Sequence, residues 1–278
     1  MGSRNFFHHP VIATAIGINV LAFMLALVWA GDDKVRMWSL LQEDGPIEWM
    51  QFLCFTLLSG LLAFIAVDRW KKQARISLEV IVLVGLSGLV ALAALEEVSW
   101  FQRVLGFASP EFFEANNRQL ETNLHNMVVG GVNLHKDILV KLIFIVGITH
   151  NLILPLIARS RPVVKQWVES MGLYLPPLSA ALAYLLLVLL SQVLIDHPRR
   201  GELSELFGAM HYFSTVFAAY MAGVNYGKPA VMENPADRCR VSVLCSMLLV
   251  FLFLVSWLLG ASYAVADPYW LPDALNAP

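Results

Sequence analysis

The feature that most constrains this chain is a series of seven apolar segments, each about 20 residues long. An α-helix of about 20 residues crosses a bilayer core of about 30 Å. Of the 278 residues, 58% are hydrophobic and 14% are charged, whereas a soluble domain has about 45–50% and about 25%. Lipid is therefore the solvent that the composition favours. The segments span residues 11–30, 46–66, 78–96, 138–158, 176–195, 204–226 and 241–263.

These segments are predicted to be helices, because unpaired backbone groups are too costly in hydrocarbon and no alternating barrel pattern is present. The first segment is longer than the apolar region of about 7–15 residues in a signal peptide, so we interpret it as an uncleaved span. The predicted fold is all-α: a polytopic transmembrane helical bundle of about seven spans, with residues 1–278 in one membrane-embedded domain.

The distribution of Lys and Arg predicts that the N-terminus is inside and the C-terminus outside, because cytoplasmic loops carry an excess of these residues. In this orientation every inner loop is basic. The inner set is Arg4, Arg69, Lys71, Lys72, Arg75, Arg159, Arg161, Lys165, Lys228, Arg238 and Arg240, and the outer set is Lys34, Arg36, Arg103, Arg118, Lys136, Arg199 and Arg200. The membrane is expected to be the bacterial inner (plasma) membrane.

Acidic residues show a second asymmetry. All but Asp68, Glu79, Glu169, Glu233 and Asp237 of the 21 acidic residues fall at or beyond the predicted outer ends of spans. Acidic residues contribute little to orientation, so insertion does not explain this bias. The formal net charge of −2 and the absence of a basic stripe argue against a nucleic-acid partner. The outer side is where we expect function.

The longest connection, residues 97–137, lies between spans three and four and is named the connecting segment here. Trp100, Val104 and Phe107 share one face of a predicted interfacial helix. Ser109-Pro110-Glu111 is typical of a helix start, with a capping hydroxyl and proline at the first position. A further helix over 121–126 would place Glu121 and His125 on one face. Gly130-Gly131 is expected to break the chain, and the sequence leaves open whether the segment is re-entrant or interfacial.

A motif in this segment runs Glu96-Glu97-x-Ser99-Trp100-x-Gln102-Arg103 through Gly106-Phe107 to Glu121-x-Asn123-Leu124-His125-Asn126. It resembles a motif of uncharacterised bacterial multi-span membrane proteins over about 30 residues. Those proteins typically read Ser-Trp-Gly-Gln-Arg and Gln-Gly-Glu, whereas this chain has Phe101 and Leu120 at the glycine positions. The resemblance implies no activity, only that these polar residues form one unit.

Helix directions place carboxylates and imidazoles from several elements in one layer near the outer surface. A cavity open to that side and reaching His150 and His211 near the midplane would explain ionisable residues at such depth. Hydrated helix ends remain an alternative for Glu48, Glu202 and Glu205, and a satisfied buried histidine for His150. The candidate catalytic residues are Glu97, Glu121, His125 and Arg103, and the candidate substrate-binding residues are Glu48, Glu96, Trp100, Gln102, Asn123, Asn126 and His211.

Three functions from different classes fit these residues. The first is an enzyme acting on a lipid or lipid-linked substrate at the outer leaflet, with Glu97 or Glu121 as general base, His125 as proton shuttle and Arg103 holding a phosphate. The second is a binding or assembly subunit that docks a membrane or periplasmic protein partner. The third is a small-solute or proton-coupled transporter, against which no pair of interrupted spans in matching positions is seen.

The sequence does not identify a cofactor. Glu97, Glu121, His125 and His211 are the candidate ligands for a divalent metal, because carboxylates and imidazoles bind such ions. Their spacing matches no diagnostic metal or nucleophile motif. Cys54, Cys239 and Cys245 form no metal-binding pair and are interpreted as buried free thiols.

Overall fold

The computed structural model describes residues 9–32 and 34–266. Arg4, used in the orientation argument, lies outside the described residues. Twelve α-helices are formed in this part of the chain. They are α1 Pro10–Asp32, α2 Lys34–Leu41, α3 Pro46–Gln73, α4 Leu78–Glu97, α5 Gln102–Leu105, α6 Glu111–Asn116, α7 Val140–Ile148, α8 Leu154–Ser160, α9 Pro162–Ser170, α10 Leu178–Leu194, α11 Gly201–Val216 and α12 Pro235–Ala266.

Five helices of the described chain are long and apolar enough to cross a membrane. They lie within Pro10–Gly31, Val35–Gln73, Leu78–Glu97, Leu134–Ser160 and Pro235–Ala261. The Leu134–Ser160 helix begins with a π-helical turn at Leu134–Leu139 and continues as α7. A second π-helical turn at Thr149–Ile153 joins α7 to α8. Helix α10 is apolar but has only 17 residues. The structure is thus all-helical apart from one short hairpin, as predicted.

Helix α11 lies inside the bundle, in contact with α1, α3 and α10. Ten of its fourteen residues from Leu203 onward are buried, and the other four, including Glu205, are partly buried. Because protein rather than lipid surrounds it, this helix can carry Glu202, Glu205 and His211 without exposing them to hydrocarbon. It is extended by a π-helical turn that ends at Met221, so the predicted segment 204–226 runs five residues past the helix. The central position of α11 therefore explains how this helix can contain ionisable residues.

Three helix ends bring acidic residues to one end of the bundle. Helix α3 begins with proline, and Glu48 lies in its first turn, where the helix dipole favours an acid. Helix α4 runs antiparallel to α3, packs along it and ends at Glu97. Helix α11 begins beside the end of α10 and has Glu202 in its first turn. This common end carries the polar site.

The connecting segment contains less helix than the sequence predicts. A 3-10 turn at Ser99–Phe101 and the single turn of α5 replace the continuous interfacial helix. Trp100 has φ 57°, a left-handed conformation that ends helix α4 and redirects the chain. Residues 121–126 are a loop, so the prediction of a helix with Glu121 and His125 on one face is wrong.

The predicted helix start at Ser109-Pro110-Glu111 is confirmed in position but not in its cap. Helix α6 begins at Glu111, after Pro110, and no side chain caps it. Ser109 instead donates to the Leu120 carbonyl at 2.7 Å, which ties two parts of the connecting segment together. Gly130 and Gly131, at φ 58° and 82°, form the turn of a hairpin that pairs Val128–Val129 with Val132–Asn133. Both values are typical of glycine in a tight hairpin turn.

Candidate functional site

A polar cavity of about 540 Å³ lies at the end of the bundle where α3, α4 and α11 meet the connecting segment. Its size is in the range of small-molecule sites, about 300–1,000 Å³. The residues that line it come from all of these elements. They are Glu43, Glu48, Glu96, Glu97, Ser99, Arg103, Arg118, Gln119, Glu121, Asn123, His125, Asn126, Asn133, His135, Lys136, Val140, Pro198, Arg199, Gly201, Glu202 and Glu205.

The structure brings the four candidate catalytic residues, Glu97, Glu121, His125 and Arg103, to this one cavity. They come from the end of α4 and from two parts of the connecting segment. This placement is what a shared site requires, and their chemical roles remain predictions. Among the candidate binding residues, Glu48, Glu96, Asn123 and Asn126 also line the cavity.

Arg103 forms the centre of one wall of the polar cavity. Its guanidinium pairs with Asp44 at 2.6 Å and Glu43 at 3.4 Å, donates to Glu121, and lies 3.9 Å from Glu48. Burial works against its charge, but these carboxylates together raise the pKa of Arg103 above its usual value. Arg103 therefore stays charged and joins the loop after α2 to the connecting segment.

Glu121 is held on three sides. Besides Arg103, its carboxylate accepts hydrogen bonds from the Ser99 hydroxyl and, at 3.1 Å, from the Asn123 amide. The Asn123 amide also donates to Ser99 at 2.7 Å, and Asn117 donates to Asn123 at 2.9 Å. Such a fully paired buried network fixes the loop 117–123 in one conformation.

Glu97, Glu202 and Glu205 form a second group, here named the carboxylate triad. One oxygen from each of the three lies within 4.8 Å of the others. Glu202 also pairs with Arg199 at 3.4 Å, and Arg199 pairs in turn with Glu43 at 3.1 Å. The triad joins the last residue of α4 to the first turns of α11, and no single stretch of sequence contains it.

His125 and His135 also line the cavity and lie together, with ring centroids 3.9 Å apart. The His135 Nε2 atom is 4.0 Å from Glu205. Burial, together with His135 and Arg199, lowers the pKa of His125 to about 4. His125 is therefore neutral at pH 7, the form that can accept a proton or bind a metal.

Two candidate binding residues support the cavity without lining it. Trp100 donates from Nε1 to Glu96 at 2.9 Å, and its ring is partly exposed away from the cavity. The Gln102 side chain bonds to Ser109 at 2.9 Å and accepts from the Thr122 backbone at 2.7 Å. Both positions therefore stabilise the fold of the connecting segment. Trp100 and Gln102 are candidates from sequence because they lie in the same motif as Glu97 and Arg103. Neighbouring side chains of a turn point in different directions, so these two do not reach the cavity.

The expectation that the cavity reaches His211 and His150 near the midplane is not met. His211 shares a 2.7 Å hydrogen bond with Asn151 and stacks on Tyr184. His150 bonds to the Tyr174 carbonyl at 2.9 Å. These residues belong to an internal polar network, so His211 is not placed to be a metal ligand or substrate contact of the polar cavity.

Several cavity residues were not among the sequence candidates. From sequence, Glu202, Glu205 and His135 belong only to the predicted layer of carboxylates and imidazoles near the outer surface. Arg199 belongs only to the outer set of basic residues. The signal that could have singled out Glu202 and Glu205 is their position at the start of a helix that also carries His211. Helix packing had to be known before that signal could be interpreted. The other lining residues that were not candidates are Glu43, Ser99, Arg118, Gln119, Asn133, Lys136, Val140, Pro198 and Gly201.

In comparisons with protein-family models, curated proteins and solved structures, no significant match to this chain was found.

Proposed function

We propose that this chain is an integral membrane enzyme that binds the polar end of a lipid or lipid-linked substrate in the polar cavity and acts on it. The observation that carries the proposal is the lining of that cavity. A neutral imidazole, His125, and the carboxylate of Glu97 face a space large enough for a lipid headgroup. Acid and base groups in one enclosed polar site are the components of general acid–base catalysis.

Within this proposal, Glu97 and His125 are the catalytic residues. Arg103 and Glu121 are positioning residues, because each is already engaged by several partners within the wall. Glu48, Glu96, Asn123 and Asn126 contribute polar groups around the substrate. Substrates with acyl chains have a route to the cavity along the Leu134–Ser160 helix, whose residues 141–146 are all exposed and whose Val140 lines the cavity.

The finer features of the fold belong to the same proposal. The chain has seven spans: the five long apolar helices, α10, and α11 with its π-helical turn. The N-terminus is cytoplasmic, and the polar cavity opens on the extracytoplasmic side of a bacterial inner membrane. Support comes from the basic inner loops and from the position of the cavity at the acidic end of the bundle. We also propose membership of the bacterial multi-span family that the Glu96–Asn126 motif resembles.

Lipid analysis tests the proposed enzyme. Cells expressing Glu97→Gln or His125→Gln should match a deletion strain in their lipid profile, with one lipid class accumulating and another depleted relative to wild type. Arg118→Gln is the matched control, because Arg118 lines the cavity but is exposed. If the deletion strain and wild type have identical lipids under all conditions where the protein is expressed, the enzymatic proposal fails.

The second candidate is an assembly subunit, and one observation favours it. A helix packed against a bundle normally buries one side, yet all residues of 141–146 are exposed. A partner helix from a membrane protein could cover this apolar surface. Native mass spectrometry of protein extracted in a mild detergent would show a fixed partner, lost on changing Phe144 and Ile145 to Ala. A transporter is the third candidate, ranked lower because no repeat of broken helices supports it.

A further inference from the structure

We propose that the carboxylate triad, Glu97, Glu202 and Glu205, binds a divalent cation of the Mg²⁺ or Mn²⁺ class. Oxygen ligands from carboxylates are those that Mg²⁺, Ca²⁺ and Mn²⁺ prefer. The three oxygens already lie within 4.8 Å of one another. Ligands at about 2.0–2.6 Å from one ion lie about 3–4 Å apart, so a small movement of flexible glutamate side chains would close the site.

The triad is short of protein partners, which distinguishes it from the other carboxylates of the cavity. Among the described residues, Glu97 accepts no side-chain or backbone hydrogen bond on its carboxylate and forms no ion pair. In the described part of the chain, the one ion-pair partner of Glu205 is His135, at 4.0 Å. Glu202 shares Arg199 with Glu43. By contrast, Glu48, Glu96 and Glu121 each accept bonds from backbone or side-chain donors.

A buried amide beside the triad also has an unused acceptor. Gln51 is fully buried, and its Nε2 donates to the Glu202 carbonyl at 2.7 Å. Its Oε1 atom has no hydrogen-bond partner. A buried acceptor without a donor costs about 1–3 kcal/mol. A hydrated cation held by Glu202 would supply the missing donor through a coordinated water.

The charge of the cavity favours the same ligand. Seven glutamates and four Lys or Arg residues line it, and the two histidines add no charge when neutral. Arg103 and Arg199 pair with Glu43, Asp44, Glu121 and Glu202, whereas Glu97 and Glu205 have no Lys or Arg ion-pair partner among the described residues, so unpaired negative charge is left at the triad. Like charges this close require a counter-ion or a bound proton. A divalent cation would satisfy all three carboxylates and, within the proposed function, would let the cavity hold the phosphate of a lipid headgroup.

Manganese binding tests the assignment. The purified full-length protein in detergent is stripped with a chelator and titrated with Mn²⁺ alone at pH 7.5, with free Mn²⁺ followed by electron paramagnetic resonance. We expect one bound Mn²⁺ per chain, displaced by excess Mg²⁺. Glu97→Gln and Glu205→Gln should weaken binding by at least the roughly 10–100-fold that loss of an outer-shell partner costs. Glu114→Gln is the control and should bind as wild type does, because Glu114 is an exposed acidic residue of α6 that does not line the cavity.

A second measurement does not depend on the variants folding. Mn²⁺ should raise the midpoint of thermal unfolding of the wild-type protein in a concentration-dependent way, as any ligand of the native state does. If wild type neither binds Mn²⁺ more tightly than the Glu97→Gln/Glu205→Gln double variant nor gains thermal stability from it, the triad holds protons instead and the inference is overturned. If Glu97→Gln changes the cellular lipids but the wild-type protein does not bind Mn²⁺, only the cation site is overturned. If the wild-type protein binds Mn²⁺ but Glu97→Gln does not change the lipids, only the proposed enzyme is overturned.

Discussion

At the scale of single residues, Arg103 organises the polar cavity. One guanidinium satisfies carboxylates from the loop after α2, the start of α3 and the connecting segment. Arginine suits this position because its planar group offers five donors in fixed directions and stays charged. The same engagement argues that Arg103 shapes the cavity and is not the group that holds a substrate phosphate.

Removing this cation should destabilise the protein. Arg103→Gln leaves Asp44 and Glu121 without their principal partner, and breaking a buried ion network costs about 3–5 kcal/mol. Thermal unfolding in detergent should show a clearly lower midpoint than wild type. Arg118→Gln, which removes an exposed arginine from the same cavity, should leave the midpoint unchanged. Equal midpoints for the two variants would contradict the central role of Arg103.

The neutral state of His125 has a consequence for stability at low pH. Its pKa is about 4 in the folded protein, against about 6.5 in an unfolded chain. Between these values the unfolded state binds the proton more readily, so this residue lowers stability as pH falls from about 6.5 to about 4, by at most about 1.4 kcal/mol per pH unit. Wild type should therefore lose thermal stability more steeply than His125→Gln over this range. Parallel pH curves for the two proteins would show that His125 titrates normally.

At the scale of elements, the connecting segment uses left-handed backbone at residues that do not favour it. Phe101 has φ 59° and Leu120 has φ 60°. These are the two positions at which the bacterial motif that this segment resembles has glycine. Glycine adopts this conformation freely, whereas other residues incur about 1–2 kcal/mol. Phe101 recovers part of this cost by packing edge-on against Phe52, at 5.3 Å between ring centroids.

Leu120 is exposed and has no such compensation, so glycine should be the better residue there. We expect Leu120→Gly to be more stable than Leu120→Ala by about 1 kcal/mol. Leu124 is a matched control, because it is also exposed but is not among the residues with positive φ. There the order should reverse, with Leu124→Gly below Leu124→Ala. Chemical denaturation of the four variants measures both differences in the free energy of unfolding. If Leu120→Gly were less stable than Leu120→Ala, the left-handed conformation of Leu120 would be refuted.

At the scale of the whole molecule, the two ends of the bundle differ in charge. The polar cavity occupies the acidic end. At the other end Glu79 is buried between Arg69 at 3.4 Å and Lys228 at 2.9 Å, within a basic surface. Since basic residues mark the cytoplasmic side, this asymmetry supports the proposed orientation.

Cysteine labelling tests the orientation directly. Cys239 is exposed at the start of α12, at the basic end, and Glu114 is exposed on α6, at the cavity end. A membrane-impermeant maleimide should label Glu114→Cys in intact cells and should reach Cys239 only after the membrane is permeabilised. Wild type without the added cysteine is the control. Labelling of Cys239 first would reverse the orientation and place the polar cavity in the cytoplasm.

The sequence predicted the apolar helices well, because the apolar composition of one segment is enough to identify each of them. The bounds of α1 and α4 lie within two residues of their apolar segments, and α3 begins at the predicted residue, because apolar length and helix-start residues are local properties. Helix α3 ends at Gln73 and α12 begins at Pro235, so both extend beyond their apolar segments into polar residues. Prediction from sequence failed in the connecting segment, where three consecutive left-handed residues, Ser99 to Phe101, replace a helix. The Ser99 hydroxyl donates to Glu121, 22 residues away, and such a tertiary bond leaves no local pattern in the sequence.

The sequence by itself determined an apolar helical chain whose acidic residues gather at one end, because hydropathy and charge are summed along the chain. It also supplied eight of the 21 residues that line the cavity. Only the tertiary structure decided which of them meet. The ends of α4 and α11 bring Glu97 to Glu202 and Glu205, whereas His211, two turns deeper on α11, faces Asn151 inside the bundle. The side of α11 from which a residue projects, and its depth along the helix, decide whether it reaches the cavity. That arrangement depends on how α11 packs against helices that are far away in the chain.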